Sequence, residues 1–291
     1  MELRVLRYFL AVAREQNISR AAEALHISQP TLSRQLMDME AEFGKTLFER
    51  GNRRITLTEN GMLLRKRAEE IVDLADRTEA EMTSSDETIS GDIYIGGGET
   101  EAMRLVAKVI RDIESDYPDI KFHIHSGNAA DVTERLDKGL LDFGVLINYN
   151  DVAKYEFLRL PLTDTWGVLM RSDSPLAHKE TVKAEDLWSL PLICSRQVIN
   201  TAQMRGWMRK SPEKLNIVTT YNLIYNASLL VEEGVGYALG LDKLIKITDG
   251  GPLCFRPLEP RMEVNIDFVW KKYQVFSKAA ELFLKRMQEN F

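Results

Sequence analysis

Residues 17–40 read NISRAAEALHISQPTLSRQLMDME, and this stretch restricts the fold more than any other. Its apolar positions recur every three or four residues, as in amphipathic helices. Ser28-Gln29-Pro30 interrupts the run with a capping hydroxyl and a proline that only a first helical turn tolerates. Two short helices therefore meet at a tight corner. Ser19 is expected to cap the first, which runs through Leu25; Ser28 caps the second and Gly44 ends it. Leu32, Leu36, Met39 and Phe43 form the inward stripe of the second helix, while Ala21, Ala22 and Ala24 let the first approach closely. An earlier helix carrying Leu3, Leu6, Phe9, Leu10 and Ala13 completes a three-helix core. LFERGNRRITL then reads as a hairpin with Gly51-Asn52 as its two-residue turn.

Opposite the inward stripe lie Pro30, Ser33, Arg34 and Met37, with Gln29 and Thr31 at the exposed start of the helix. Short or planar donors at a helix end suit the DNA major groove, about 12 Å wide, where arginine can bind guanine and glutamine adenine. The hairpin adds Arg50, Arg53 and Arg54, suited to phosphates or the minor groove. Spacing alone also allows a plainer reading, in which the three helices are an ordinary small core and Arg34 is a solvated surface residue. The formal net charge of −6 argues against nucleic acid only as an average. Residues 1–58 hold nine Lys/Arg against seven Asp/Glu, whereas residues 59–88 hold four against nine. A locally cationic end on an acidic body suits a DNA reader, because attraction to phosphate is screened beyond roughly 8 Å.

Between Leu57 and Met82 there is no proline and one glycine. Leu57, Gly61, Leu64, Ala68, Ile71, Ala75, Thr78 and Met82 advance by fours and threes, a heptad seam with several small members, so a long pairing helix is expected. TSSDETISG follows as a linker. From Asp92 the texture changes to strands followed by helices: IYIGG, KFHIHSG, DFGVLI, WGVLMR, LPLIC, NIVTTYN and GYALGL, then VNIDFVW and a helix over Lys278–Asn290. This alternation implies parallel sheets covered by helices, and about 200 residues fit two small sheets more comfortably than one.

Ligands of open α/β sheets bind beyond the C-terminal strand ends, and in a two-part body they bind in the cleft between the parts. YIGGGETEAM is the clearest candidate: Gly96, Gly97 and Gly98 sit between strand and helix, Thr100 can cap, and Gly98, Glu99, Thr100 and Glu101 form the expected contact loop. The glycines alone also fit a simple tight turn. Glu99 and Glu101 are awkward for a carboxylate ligand, so either they point outward or the ligand is cationic or neutral. Ser126, Gly127, Asn128, Ile147, Asn148, Ser195, Arg196, Gln197 and Asn222 follow other strands and are expected to line the same cleft. His123 and His125 share a strand face but lack a nearby third ligand, so a structural role is expected and no metal. Cys194 and Cys254 stand too far apart for a disulfide framework or a paired redox switch.

No hydrolase elbow, zinc-protease motif, phosphate-binding loop or dinucleotide fingerprint is present, so neither an enzyme nor a cofactor is expected. MELRVLRYFLAVAREQ carries charges every three or four residues, unlike an export signal or a membrane span. That argues against a solute-binding transport component and for a cytoplasmic protein without a membrane partner. A DNA-organising protein would leave the α/β region unused.

Ala21-Ala22, Leu25, Gln29-Pro30, Ser33, Leu47-Phe48, Arg50, Leu57-Thr58 and Gly61 stand at the spacing of the N-terminal winged helix-turn-helix of LysR-type transcriptional regulators, which residues 19–61 resemble. Met37 and Met39 depart from the isoleucine or valine and the leucine usual there. The second half is similar in layout more than in residues. The resemblance implies a multidomain α/β chain: a winged helix-turn-helix over 1–58, a linker helix over 59–88, and over 89–291 a two-subdomain effector-binding region like that of periplasmic binding proteins, with subdomain I at 91–162 and 264–291 and subdomain II at 163–263. It implies that Ser28, Gln29, Pro30, Thr31, Ser33 and Arg34 serve the major groove of double-stranded promoter DNA, that Arg50, Arg53 and Arg54 serve the wing, and that a small-molecule effector contacts the loop at Thr100. It further implies a homodimer through the linker helix or a homotetramer of two such dimers, with RNA polymerase as a further partner.

Overall fold

The computed structural model describes residues 1–51, 54–83, 89–148, 153–248 and 250–291, without the side chains of Arg50 and Glu81. The chain divides into two compact units, Met1–Ser85 and Asp86–Phe291.

The first unit comprises α1 (Leu3–Glu15), α2 (Ile18–Ala24), α3 (Gln29–Phe43), β1 (Phe48–Arg50), β2 (Ile55–Leu57) and α4 (Glu59–Thr83). Leu6, Phe9 and Val12 of α1 share one core with Ala21, Ala22, Leu32, Leu36 and Met39. Ser28 caps α3 by accepting from the Thr31 N–H at 3.3 Å, Pro30 sits in the first turn, and Gly44 leaves with a φ of 60°. Three local expectations need correction. Asn17, not Ser19, caps α2, accepting from the Arg20 N–H at 3.1 Å, because Ser19 already lies inside the helix. Phe43 is 37% exposed rather than inward, since it ends α3 where Gly44 turns the chain away; Ala24, at the end of α2, is exposed too. Finally, β1 sets Arg50 opposite Ile55, and the Gly51 N–H donates to the Arg54 carbonyl at 3.0 Å. A Gly51-Asn52 turn would have set Arg50 opposite Arg53; positions 52 and 53 lie outside the described residues.

Glu40 ties α3 to the hairpin, its carboxylate accepting from the N–H groups of Leu47 at 2.6 Å and Phe48 at 3.2 Å. Helix α4 packs against α1 with Leu64, Ala68 and Val72, and Arg7 pairs with Asp76. Beyond Ala68 the expected seam is not covered by the core of this unit. Ile71 is 40% and Met82 82% exposed. A straight helix drifts about 20° per heptad away from a 3.5-residue repeat, so the stripe leaves the core partway along.

The second unit comprises β3 (Gly91–Gly97), α5 (Met103–Asp116), β4 (Ile120–Ser126), α6 (Ala129–Asp137), β5 (Phe143–Ile147), β6 (Tyr155–Arg171), β7 (Val182–Lys183), α7 (Ala184–Leu187), β8 (Leu192–Ser195), α8 (Ala202–Met208), β9 (Ile217–Tyr221), α9 (Ile224–Glu232), β10 (Tyr237–Leu241), β11 (Leu253–Glu259), β12 (Glu263–Lys271) and α10 (Lys278–Asn290). Strands β4, β3 and β5 are parallel, as are β9, β8 and β10. The two expected sheets are joined into one hydrogen-bonded path, β4-β3-β5-β12-β6-β10-β8-β9. The joining strand is β6: Tyr155–Thr165 pairs with β12, and Trp166–Arg171 pairs with β10 and β11. In the first group Phe143 stacks on Phe268 and meets Phe283 of α10. Gly96 lets α6 close over β3, since a Cβ there would stand 2.4 Å from Leu141 Cδ1 and 3.0 Å from Val132 Cγ1.

Candidate functional site

In the first unit Gln29, Pro30, Thr31 and Arg34 are exposed on the first turns of α3, and Ser33 is half-buried. The Ser28 hydroxyl also hydrogen-bonds that of Thr31 at 2.7 Å, which fixes the start of the helix. Arg34 makes no hydrogen bond or ion pair among the described residues, so its guanidinium is available to an external acceptor. Arg54 is exposed on the hairpin. Arg53 and the side chain of Arg50 lie outside the described residues.

In the second unit a cavity of about 530 Å³ opens between the two strand groups. Gly98, Glu99, Gly127, Asn128, Ile147, Asn148, Ser195, Gln197 and Asn222 line it. Among the described residues, two hydrogen bonds span it. The Glu99 carboxylate accepts from the Ile224 N–H at the start of α9, and the Asn148 side-chain amide donates to Gln203 Oε1 of α8 at 3.3 Å.

Four expected residues do not line it. Thr100 is buried, and its hydroxyl donates to Asp164 Oδ2 at 2.6 Å while accepting from the Ala102 N–H at 3.2 Å. Glu101 is paired with Arg104 one turn along. Ser126 is exposed at the end of the edge strand β4, and the next residue, Gly127, reaches the cavity. The exposed Arg196 takes part through its backbone, its N–H donating to the Tyr221 carbonyl at 3.2 Å.

The sequence reading missed the apolar wall, which includes Trp166, Leu241, Leu244, Met262 and Val264. These residues belong to β6, β10, β12 and the segments beside them, away from the polar positions that follow the parallel strands. The apolar C-terminal end of YALGL was the available signal. Tyr221 also lines the cavity and donates to the Leu239 carbonyl at 2.6 Å; burial, with smaller contributions from Cys194 and Glu99, pushes its phenol up.

Burial holds the Asp164 carboxyl above its ordinary value, opposed by the Thr100 hydroxyl. Burial likewise pushes the Cys194 thiol up to about 12, which disfavours the reactive thiolate. His123 and His125 pair with Asp92 at 2.7 Å and Asp131 at 2.6 Å, and no cluster of three candidate metal ligands occurs among the described residues. No helix among them is long and apolar enough to cross a membrane.

Comparison with known proteins bears on both units. Residues 3–62 match the bacterial regulatory helix-turn-helix protein, lysR family, and residues 86–291 match the LysR substrate binding domain. The chain is 34% identical over 200 residues to the HTH-type transcriptional regulator BsdA of Bacillus subtilis, covering 68% of each. It is 27% identical over 285 residues to the uncharacterized HTH-type transcriptional regulator YfeR of Shigella flexneri, covering 96% of this chain and 91% of that one. Full-length CbnR in complex with its target DNA shares the fold, with a TM-score of 0.73 at 20% identity over 100% of both chains. The chain therefore belongs to the LysR family of bacterial helix-turn-helix proteins: it is a DNA-binding transcriptional regulator with a substrate-binding domain, and not an enzyme.

Proposed function

We propose that a small molecule held in the cavity of the second unit sets how this regulator acts at promoters read by α3. The observation that carries this reading is the cavity itself: about 530 Å³, entered by strand ends and helix starts of both strand groups. A ligand bridging the two groups stabilises the arrangement it fits best, and it shifts DNA affinity only by its differential affinity for the alternatives. Gly98, Glu99, Gly127, Asn128, Ile147, Asn148, Ser195, Gln197 and Asn222 are the proposed contacts.

On the DNA side, Gln29, Pro30, Thr31, Ser33 and Arg34 read the major groove, Ser28 fixes the helix start, and Arg50, Arg53 and Arg54 serve the wing. The functional division is a reader over 1–58, a linker over 59–88 and an effector region over 89–291, with subdomain II at about 163–263; the change of partners along β6 supports a border near its middle. The exposed Leu63, Ile71, Leu74 and Met82 of α4 support a homodimer through that helix, and two such dimers make a tetramer that engages RNA polymerase in the cytoplasm.

A thermal-shift screen of metabolites tests the reading. Wild-type protein is compared with Gly98→Leu, whose Cβ would meet Ile147 and Gly127 at ordinary distances of 3.7 and 3.8 Å while the side chain fills the cavity. A true effector at 100 times its Kd adds about 2.7 kcal/mol to the wild type, changes its affinity for promoter fragments, and does neither in the variant. Effectors that act equally on both proteins would place the site elsewhere.

A further inference from the structure

We infer that the cavity is built for a small organic cation, an ammonium or guanidinium group on an apolar body, with the Glu99 carboxylate as its counter-charge; this rests on the cavity being the effector site proposed above. Among the described residues, Glu99 is the only acidic side chain in the lining, and no lysine, arginine or histidine is there to oppose it. Arg196, next to Ser195 and Gln197 in the chain, is exposed and outside the lining.

At three helix starts around the cavity one N–H is served by the protein's own acceptors. Helix starts are the usual anion sites, because their first N–H groups lack partners. Around this cavity Asn128 accepts from the Asp131 N–H at the start of α6 at 3.0 Å, and Thr201 accepts from the Met204 N–H at the start of α8 at 3.2 Å. At α9 the Ile224 N–H goes to Glu99 itself. A carboxylate ligand would thus meet a like charge at the start of α9, whereas an ammonium would meet its opposite. Charge from Glu99 is also felt at Tyr221, whose phenol is pushed up mainly by burial and in part by that carboxylate. Part of the wall suits an apolar body, since Trp166, Leu241, Leu244, Met262 and Val264 face the same space, while Asn128, Asn148, Ser195, Gln197 and Asn222 add neutral polar groups. Because Glu99 already reaches across to α9, a cation bound to it adds to a link that spans both strand groups.

The test is calorimetric titration of the full-length protein at fixed ionic strength with probes matched in size: 2-phenylethylammonium and 1,6-diammoniohexane as cations, phenylacetate and adipate as anions, and 2-phenylethanol as the neutral member. At least one cation is expected to bind the wild type at least tenfold more tightly than its matched anion. Glu99→Gln, whose amide oxygen can still accept from Ile224, is expected to weaken that cation at least tenfold and leave the alcohol unchanged. Glu99→Asp retains the charge and is expected to retain the preference. Gly98→Leu abolishes binding of every probe. An anion binding as tightly as the cation, or a cation indifferent to Glu99→Gln, overturns the cation assignment; if that binding is still lost in Gly98→Leu, the effector cavity stands. Cation binding that survives Gly98→Leu overturns both. Absence of binding by every probe overturns the cation assignment.

Discussion

The Thr100 hydroxyl donates to the Asp164 carboxylate at 2.6 Å, and both side chains are buried. This bond ties the loop after β3 to the strand that joins the two strand groups. Among the described residues the other oxygen of Asp164 is buried with no partner, and Thr100 supplies the one side-chain hydrogen bond that carboxylate has. Thr100→Val keeps the shape and removes the donor, leaving a buried acceptor unsatisfied at a cost of about 1–3 kcal/mol. Urea denaturation should show that loss in the second unit, with Thr100→Ser near wild type. Ligand affinity of the folded protein should be unchanged, because Thr100 is absent from the cavity lining.

The same carboxylate gives a pH dependence. Burial holds Asp164 above its ordinary value of 3.8, so between that value and the folded one the native state binds more protons than the unfolded state. Its stabilising contribution is complete below the unfolded value and is lost as pH rises through the folded one. Asp164→Asn removes the titration. Its stability relative to wild type is expected to improve as pH is raised from about 4 to about 7. A difference constant across that range would mean that Asp164 titrates alike in both states.

Gly61 sits where α4 leaves the hairpin. A Cβ there would stand 2.1 Å from the Leu47 carbonyl oxygen, a backbone atom that cannot swing aside. Gly61→Ala should therefore destabilise the first unit by about 1–3 kcal/mol, the usual cost of overpacking. Thermal denaturation followed together with DNA binding should show a fall in both, while probe binding at the cavity is unaffected.

What was legible in the sequence was local. Ser28, Pro30 and Gly44 announce α3 because each acts within a turn of its own position. Asn17 and Ser19 are both good caps, and which one acts depends on where α2 docks. Strand β6 is legible only from Trp166 onward, because charges at Glu156, Arg159 and Asp164 hide its first half; Asp164 is nevertheless fully buried there. The cavity residues that lie at strand ends were legible from topology. Thr100 was not, since the acceptor that claims its hydroxyl lies 64 residues away. The direction of Glu99 is hidden for the same reason: the N–H that it meets across the cavity belongs to Ile224, 125 residues on.

The reading of α3 as the part that discriminates among DNA sequences is tested most directly by competition binding at physiological salt. Full-length protein, wild type and Arg34→Ala, is titrated with a fragment selected from the genome and with its shuffled counterpart. The wild type should prefer the selected fragment by at least about 10³-fold. Arg34→Ala should lose about 1–3 kcal/mol of that preference while its binding to shuffled DNA changes little. Equal affinity of the wild type for both fragments, with and without a cavity ligand, would contradict the account.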